Sequence, residues 1–351
     1  MFRLLFAFSL MLAALPAFTS AVQAASFDCS KASSFFEKTI CGDPSLSAAD
    51  ETLAVAYATA LGGLSSQAAD RVRADQRSWL DFASRLCTQD AQPMSAGNFP
   101  LVEGAYSSNC LQSEFTSRIG VLEGSRMMGK LRIYPVSAYA VFVDPEADPE
   151  DAWRVGHQAF SAPRIDGQTP EAKAFNSFVD TKLGDFATTL AAAGPTGRGL
   201  ETGSDEDADL KVTAVLPSRI TVERTDSSFG HGAAHGEYAI TYLHFLREEQ
   251  RALMAEDVFS GEDWQAILTK AVTDELHREI AADDLMLSDD TDLTLVVTDP
   301  QRWDFTDKAL LIQFQPYEVS YYAYGAPTVR VPWAQLSGIT TEQASTIAAG
   351  Y

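Results

Sequence analysis

Two histidines separated by three residues form the most clustered set of possible metal ligands in the sequence. His231 and His235 flank Gly-Ala-Ala, and Glu237 follows two positions later. On a helix, two histidines at this spacing share a face and, together with a carboxylate, suit zinc. The neighbouring glycines instead favour a turn that leads into a strand at Tyr238. The sequence therefore predicts a turn without a metal, and a metal-dependent cell-wall hydrolase built on these side chains is an alternative.

Alternating carboxylates are a second candidate for cation binding. Asp205, Asp207 and Asp209 have the spacing of the first ligands of a calcium loop, but the glycine and the final acidic residue of such a loop are absent. We therefore expect a solvated acidic loop at this position. The acidic, proline-containing stretch 144–151 also predicts an exposed loop.

No motif for nucleophilic catalysis or cofactor binding accompanies these residues. The chain has no Gly-x-Ser-x-Gly turn and no phosphate-binding loop. His157, His244 and His277 are isolated, and we expect each on the surface of a strand, loop or helix. Carboxylates are too numerous for counting to identify a glycosidase pair. The sequence therefore singles out no catalytic residue, bound metal or cofactor, and we expect a protein that is not an enzyme.

The charge balance limits the kinds of partner. The 351 residues include 48 acidic and 26 basic ones, a formal net charge of −22. This excess disfavours nucleic acid and anionic lipid, because phosphate binding requires clustered lysine and arginine. Residues 25–128 carry 12 acidic and 8 basic side chains, a net of −4, whereas residues 129–351 carry 36 and 17, a net of −19. The surplus in the second segment either favours a cationic partner or serves solubility alone.

The cysteines indicate an oxidising compartment. All four lie in the first third of the chain, and their spacing fits neither a zinc site nor a redox motif. Three disulfide connectivities are possible. The short loops that they would close favour the pairs Cys29–Cys41 and Cys87–Cys110.

The N-terminal residues have the pattern of an export signal. Arg3 precedes the apolar stretch 4–18, and small residues up to Ala24 supply a cleavage position. The apolar stretch is short for a membrane span, and no later segment is long and uncharged enough for one. We expect residues 1–25 to direct export, to the periplasm in a Gram-negative source and to the medium otherwise. Removal of the signal and its retention as an anchor both stay open.

Residues 26–128 have the pattern of a small all-α bundle stapled by disulfides. Ser34-x-x-Glu37 and Ser47-x-x-Asp50 have the form of capping boxes that open helices. Apolar residues then recur at helical spacing in three further stretches, 53–61, 72–86 and 111–122.

Residues 129–351 have the pattern of an α+β domain, so the chain is multi-domain. Two helices are predicted around 175–190 and 264–280. Stretches rich in β-branched and aromatic residues predict strands at 133–143, 210–215, 218–222, 238–245, 293–297 and 309–314. Blocks of strands without regular βαβ alternation predict a mainly antiparallel sheet with helices on one face.

The helical segment carries a set of residues that recurs, in the same order, in a known family. They are Phe27-Asp28-Cys29, Glu37 with Ile40-Cys41, Leu46 with Asp50, Tyr57, Gln76 with Trp79-Leu80, Cys87, Cys110-Leu111 and Arg118-Ile119. In these residues the segment from about 27 to 125 resembles the N-terminal domain of the LprI family of lysozyme inhibitors. The resemblance implies a secreted or envelope module, in a family with at least one member that inhibits lysozyme.

The second segment carries another such set, between about 130 and 345. It comprises Phe175-Asn176, Gly230 to Gly236, Met254 to Phe259, Phe314 to Glu318, Tyr322 to Gly325 and Val331-Pro332-Trp333. In these residues the segment is similar to the extracytoplasmic domain of RsiV-type anti-sigma factors, which sense lysozyme by binding it. Those proteins also have a cytoplasmic segment and a membrane span. This chain starts with an export signal, so we expect extracytoplasmic binding rather than transmembrane signalling.

The two resemblances imply a cell-envelope protein that recognises a basic, lysozyme-like muramidase. In such a complex, acidic patches would steer the basic enzyme towards aromatic anchors. An envelope scaffold that binds peptidoglycan or another envelope protein is the alternative. The candidate contact residues are Tyr317, Glu318, Tyr321, Tyr322, Tyr324 and His235.

Overall fold

The computed structural model describes residues 25–87, 107–147, 154–288 and 291–349. The predicted export signal at 1–25 lies outside the described residues, apart from Ala25. Within the described ranges, no helix combines the length and the apolarity that crossing a membrane requires.

The first part of the chain folds into a helical bundle, as predicted. Ser34 and Glu37 form the predicted capping box at the start of α1. The second predicted box is wrong, because Ser47 lies inside α2 and Asp43 caps that helix, with Pro44 in its first turn. Proline is favourable there, since the first helical N–H groups have no partner within the helix. The helices are α1 Phe35–Gly42, α2 Pro44–Leu61, α3 Ser66–Leu86 and α4 Ser108–Glu123.

Two disulfides staple this bundle, with the predicted connectivity. Cys29 pairs with Cys41 across a Cα–Cα distance of 5.8 Å, and Cys87 pairs with Cys110 across 5.4 Å. The first ties the N-terminal segment to the end of α1. The second joins the end of α3 to the start of α4. Each bond therefore fixes a helix terminus.

Trp79 and Phe115 form the centre of the bundle. Both are almost fully buried, and their ring centroids lie 5.5 Å apart. Beside them Arg118 is buried, and it donates hydrogen bonds to Gln76 Oε1 at 2.9 Å and to the Tyr139 hydroxyl at 3.0 Å. A buried guanidinium requires such acceptors. Because Tyr139 belongs to the following sheet, Arg118 joins the bundle to that sheet.

A seven-stranded sheet follows the bundle, and it confirms the α+β prediction. Its strands follow in sequence order from β1 to β7. Every pair is antiparallel except β3–β4, which helix α5 (Pro170–Ala193) connects as a parallel crossover. The strands are β1 Arg126–Met128, β2 Leu131–Val143, β3 Val155–Ile165, β4 Ser204–Val215, β5 Arg219–Gly230, β6 Glu237–Leu246 and β7 Arg251–Ala252.

Different elements cover the two faces of this sheet. Helix α5 packs on one face, where Phe175 and Val179 are fully buried against Val222 and Phe245. Helices α3 and α4 pack on the other face over β2 and β3, and Val141 from β2 joins the core of the bundle. The bundle does not extend over β4, so part of that face lies beside α4 rather than beneath it.

The remaining residues form a C-terminal unit around a three-stranded antiparallel sheet of order β10-β9-β8. The predicted strand at 293–297 is wrong, since these residues form helix α8. A helical turn buries Leu293 and Val297, which are four residues apart, and leaves Leu295 86% exposed. In a strand these three side chains would instead lie on the same face. The elements are α6 Ala255–Val258, α7 Trp264–Glu279, α8 Thr294–Val297, β8 Trp303–Phe305, β9 Ala309–Gln313, β10 Thr328–Pro332, α9 Trp333–Leu336 and α10 Ala344–Ala349.

The C-terminal unit docks against β6. The side chain of Gln315 bonds both to the N–H of Ile240, at 2.7 Å, and to its carbonyl, at 2.6 Å. His244 is buried rather than on the surface as predicted, and its Nε2 lies 2.7 Å from the carbonyl of Trp303. Burial and the charge of Arg219 lower the pKa of His244 to about 3. A neutral imidazole is thus part of this junction.

Candidate functional site

The loop after β9 displays four tyrosines beside the turn between β5 and β6. Tyr317, Tyr321 and Tyr324 are 55%, 44% and 37% exposed, respectively, which is high for aromatic side chains. We call these three residues, together with Tyr322 and His235, the tyrosine surface. The structure thus places five of the six predicted contact residues in two contact groups, one of His235, Tyr317 and Tyr322 and one of Tyr321 and Tyr324.

His235 and Tyr322 support the exposed ring of Tyr317. Their ring centroids lie 4.0 Å apart in a stacked arrangement, and the Tyr322 hydroxyl donates a hydrogen bond to the carbonyl of Gly236. The hydroxyl of Tyr317 lies 3.4 Å from Nε2 of His235. Rings that are already held in place lose little conformational entropy when a partner binds.

Glu318, the sixth predicted contact residue, has an internal role in this structure. It forms an ion pair with Arg302, and its carboxylate accepts a hydrogen bond from the backbone N–H of Gln315 at 2.7 Å. Tyr317, which lies between Gln315 and Glu318 in the sequence, adopts a left-handed conformation with φ of 69°. Glu318 therefore fixes the shape of the loop that presents the tyrosines.

A carboxylate, Asp284, lies at the edge of the tyrosine surface. The hydroxyl of Tyr321 donates to Oδ1 of Asp284 at 3.1 Å, and this hydrogen bond raises the pKa of the tyrosine. Its ring also packs edge-on against Tyr324, with centroids 6.0 Å apart. Met286 close by in the sequence is 60% exposed. Aromatic centres with a polar rim are typical of protein-binding surfaces.

The two histidines of the glycine-rich turn have separate environments. The turn itself is confirmed, with a hydrogen bond from Ala233 N–H to the Gly230 carbonyl. Nδ1 of His231 lies 2.9 Å from Asp144 and its Nε2 lies 3.4 Å from Asp205, whereas the ring of His235 stacks on the tyrosine surface. Over the ranges that the structure covers, no group of three or more histidine, cysteine, aspartate or glutamate residues is placed to hold a metal ion.

Asp144, the first residue of a predicted exposed loop, is itself buried. Its carboxylate accepts the hydrogen bond from His231, which compensates for the loss of hydration. The next residues agree with the prediction, since Pro145 and Glu146 are exposed in a turn, and residues 148–151 lie outside the described residues.

The predicted acidic loop at Asp205–Asp209 is wrong, because these residues belong to strand β4. Residues two apart on a strand share a face, so the alternating aspartates line the side of the sheet that faces α4. There His157 of β3 contacts two of them, at 3.2 Å from Asp205 Oδ1 and 3.2 Å from Asp207 Oδ2. Burial opposes the charge of the ring, but the hydrogen bonds and charges of Asp205 and Asp207 outweigh it and raise the pKa of His157 to about 10.

A cleft lies between α4 and this row of aspartates. We call it the α4–β4 cleft; it has a volume of about 560 Å³. Trp79, Phe82 and Tyr139 contribute to its lining, and the described polar groups at its wall include Glu114, His157, Ser161, Asp207, Asp209 and Lys211. Sequence reasoning missed this site. The spacing of two residues between the aspartates could have indicated it, because this spacing is typical of a strand with one acidic face.

Comparison with known families gives matches in both halves of the chain. The family described as "Lysozyme inhibitor LprI" matches residues 29–122, and the family described as "Protein of unknown function (DUF3298)" matches residues 256–334. The first range coincides with the disulfide-stapled bundle. The second lies within the C-terminal unit and includes most of the tyrosine surface. Among curated proteins, none matches the chain.

Two solved structures of DUF3298 family proteins are similar to this chain. One, from Bacteroides fragilis, is 12% identical, with a TM-score of 0.47, and the alignment covers 64% of this chain and 99% of that one. The other, from Pseudomonas aeruginosa, is 15% identical, with a TM-score of 0.45, and the alignment covers 63% of this chain and 98% of that one. By the family models, residues 29–122 are similar to the LprI lysozyme inhibitors and residues 256–334 are similar to the DUF3298 family.

Proposed function

We propose that this protein is an exported, non-enzymatic binding protein that recognises lysozyme-like muramidases. The LprI match over residues 29–122 is the observation that carries the proposal. It coincides with a domain whose helix ends are fixed by two disulfides, a design suited to an oxidising compartment. Export through the N-terminal signal is part of the same proposal.

Electrostatics supports a basic partner. The net charge of −22 attracts a cationic enzyme over a distance of roughly one Debye length, about 8 Å at physiological salt. Most of the surplus lies after residue 128, so the sheet and the C-terminal unit would steer the encounter. Steering of this kind affects the association rate more than the final affinity.

The tyrosine surface is the contact site that we propose for the second half of the chain. Its exposed rings are rigidly supported, and Asp284 supplies a carboxylate at their edge. The RsiV-type resemblance of this segment is consistent with such a role. Tyrosine is among the residues that most often carry binding energy at protein interfaces.

An inhibition assay tests this proposal. Purified protein should slow the lysis of cell walls by at least one lysozyme, and Tyr321→Ala should weaken this effect about fivefold or more, because truncating an anchor costs over about 1 kcal/mol. Leu295→Ala is the matched control, since it truncates a side chain that is 86% exposed and lies outside the tyrosine surface.

Three outcomes have distinct meanings. Inhibition that Tyr321→Ala leaves unchanged would place the contact elsewhere, such as on the helical bundle. Retention on purified peptidoglycan without any effect on lysozymes would favour the envelope scaffold. No inhibition of, and no binding to, any lysozyme would contradict the proposal.

A further inference from the structure

The α4–β4 cleft lies apart from the tyrosine surface, and its size suits a small molecule. Its volume of about 560 Å³ falls within the usual range for ligand sites, roughly 300–1,000 Å³. One wall belongs to the helical bundle and the other to strands β3 and β4. A cavity between two packed units is a common position for a ligand site.

We infer that the α4–β4 cleft binds a small polar ligand through a primary ammonium group, of the kind carried by amino sugars and diamino acids. The inference rests on the geometry of the cleft and is independent of lysozyme recognition. One carboxylate in the lining of the cleft has no ion-pair partner among the described residues, and several hydroxyl groups also line the cleft.

Glu114 is that carboxylate. It is half-buried in the wall of the cleft, and no hydrogen bond or ion pair joins it to another of the described residues. Burial, with a contribution from the charge of Asp207, raises the pKa of Glu114 to about 7, although the positive charge of His157 opposes the shift. Partial burial without a partner destabilises the ionised form of a carboxylate. A cation bound beside Glu114 would offset this loss of hydration.

Cations already face the other carboxylates of the cleft. His157 lies between Asp205 and Asp207, and Lys211 forms an ion pair with Asp209. Arg118 also lines the cleft and donates hydrogen bonds to Gln76 and Tyr139. Glu114, Asp205, Asp207 and Asp209 are thus four carboxylates against three cations, so one further positive charge matches the site.

Hydroxyl groups provide the remaining hydrogen-bonding capacity. Ser113 and Ser117 line the cleft from α4, and Ser227 lines it from β5. Hydroxyls both donate and accept, so they suit a ligand with several polar groups around its ammonium.

Calorimetric titration of the full-length protein with D-glucosamine and with L-lysine tests the inference and distinguishes the two sources of the ammonium group. Saturable binding of at least one of them at millimolar concentrations is expected. Glucose and N-acetylglucosamine, which lack the ammonium group, should bind at least about tenfold more weakly, because a charge-assisted contact is lost.

Glu114→Gln should reduce the affinity for the bound probe about tenfold or more, since the charged partner is removed. Glu51→Gln is the matched control, because it removes the same charge from an exposed position on α2 outside the cleft. Asp207→Asn is a second cleft variant, and it should also weaken binding. Circular dichroism spectra that match the wild type establish that each variant is folded.

The pH dependence supplies an independent readout. Glu114 shares the cleft with Arg118 on α4, with His157 on β3 and with Asp207, Asp209 and Lys211 on β4, and burial raises the pKa of Glu114 to about 7. The affinity for L-lysine should rise about tenfold between about pH 6 and about pH 8 in the wild type, and should stay nearly constant in Glu114→Gln. Absence of saturable binding for both probes, or equal affinities in wild type and Glu114→Gln, would overturn the inference.

Discussion

At the scale of single residues, His157 and His244 show how one sheet gives one histidine a positive charge and keeps another neutral. His157 lies between Asp205 and Asp207, and its pKa is raised to about 10. His244 lies among apolar groups near Arg219, and its pKa is lowered to about 3. Both were predicted on the surface because a single histidine in a sequence carries no information about the residues packed against it.

The first prediction concerns His157. Its folded pKa lies above the unfolded value of about 6.5, so the stabilisation is fully present below that pH and is lost as the pH rises towards 10. The free energy of unfolding of the wild type should therefore fall by a few kcal/mol between about pH 6.5 and pH 10, at about 1.4 kcal/mol per pKa unit. Urea denaturation measures this fall, and His157→Gln should largely remove it. An unchanged alkaline slope in the variant would contradict this prediction.

The second prediction concerns Glu114. Its folded pKa is above the unfolded value, so the folded state loses stability as the pH rises from about 4.5 to 7, and the full cost applies above 7. Glu114→Gln should therefore raise the free energy of unfolding at about pH 8 by roughly 1–3 kcal/mol. Glu51→Gln should change it by less than about 0.5 kcal/mol, as exposed substitutions usually do. A lower free energy of unfolding in Glu114→Gln would contradict this prediction, because it would mean that the ionised carboxylate makes a stabilising interaction.

At the scale of elements, the disulfides of the helical bundle give a third prediction. The Cys29–Cys41 bond closes a sequence separation of 12 residues, so its removal should cost about 2–3 kcal/mol of unfolding free energy. The double substitution Cys29→Ser with Cys41→Ser, compared with the wild type in urea denaturation, measures that cost. Addition of a reductant should bring the wild type towards the variant. Equal stability of the two oxidised proteins would contradict a structural role for this bond.

The elements also show how far the sequence predicts the fold. Helices α2 to α4 and α5 were predictable because their apolar residues recur with a clear helical period. Strand β3 was missed, since Gly156, Ala159 and Ser161 have low β propensity and are held by pairing with β2 and β4. The stretch 293–297 was assigned wrongly because a short apolar run fits a buried strand and a helical turn equally well.

The two candidate sites also differ in how far the sequence predicts them. The tyrosines of the loop after β9 were visible in the sequence as a local cluster, so the tyrosine surface was predictable apart from its support by Tyr322 and His235. The α4–β4 cleft was not, because Glu114 and Asp207 are almost a hundred residues apart. Only the packing of the bundle on the sheet brings these two carboxylates to one cavity.

At the scale of the whole molecule, the chain joins a nearly balanced helical bundle to a strongly acidic remainder. The bundle segment has a net charge of −4, and residues 129–351 have a net charge of −19. Arg118 and Tyr139 connect the bundle to the sheet, and Gln315 and Ile240 connect the sheet to the C-terminal unit. The sheet therefore links the helical bundle to the C-terminal unit, which carries the tyrosines of the tyrosine surface.

The central claim is that this assembly recognises a basic, lysozyme-like enzyme. The most direct measurement is the equilibrium affinity of the purified protein for a panel of lysozymes at low and at moderate salt. We predict saturable binding to at least one of them, with an affinity that falls as salt is raised, because the charges that steer the encounter become screened. Absence of measurable binding to every lysozyme at low salt would contradict the claim.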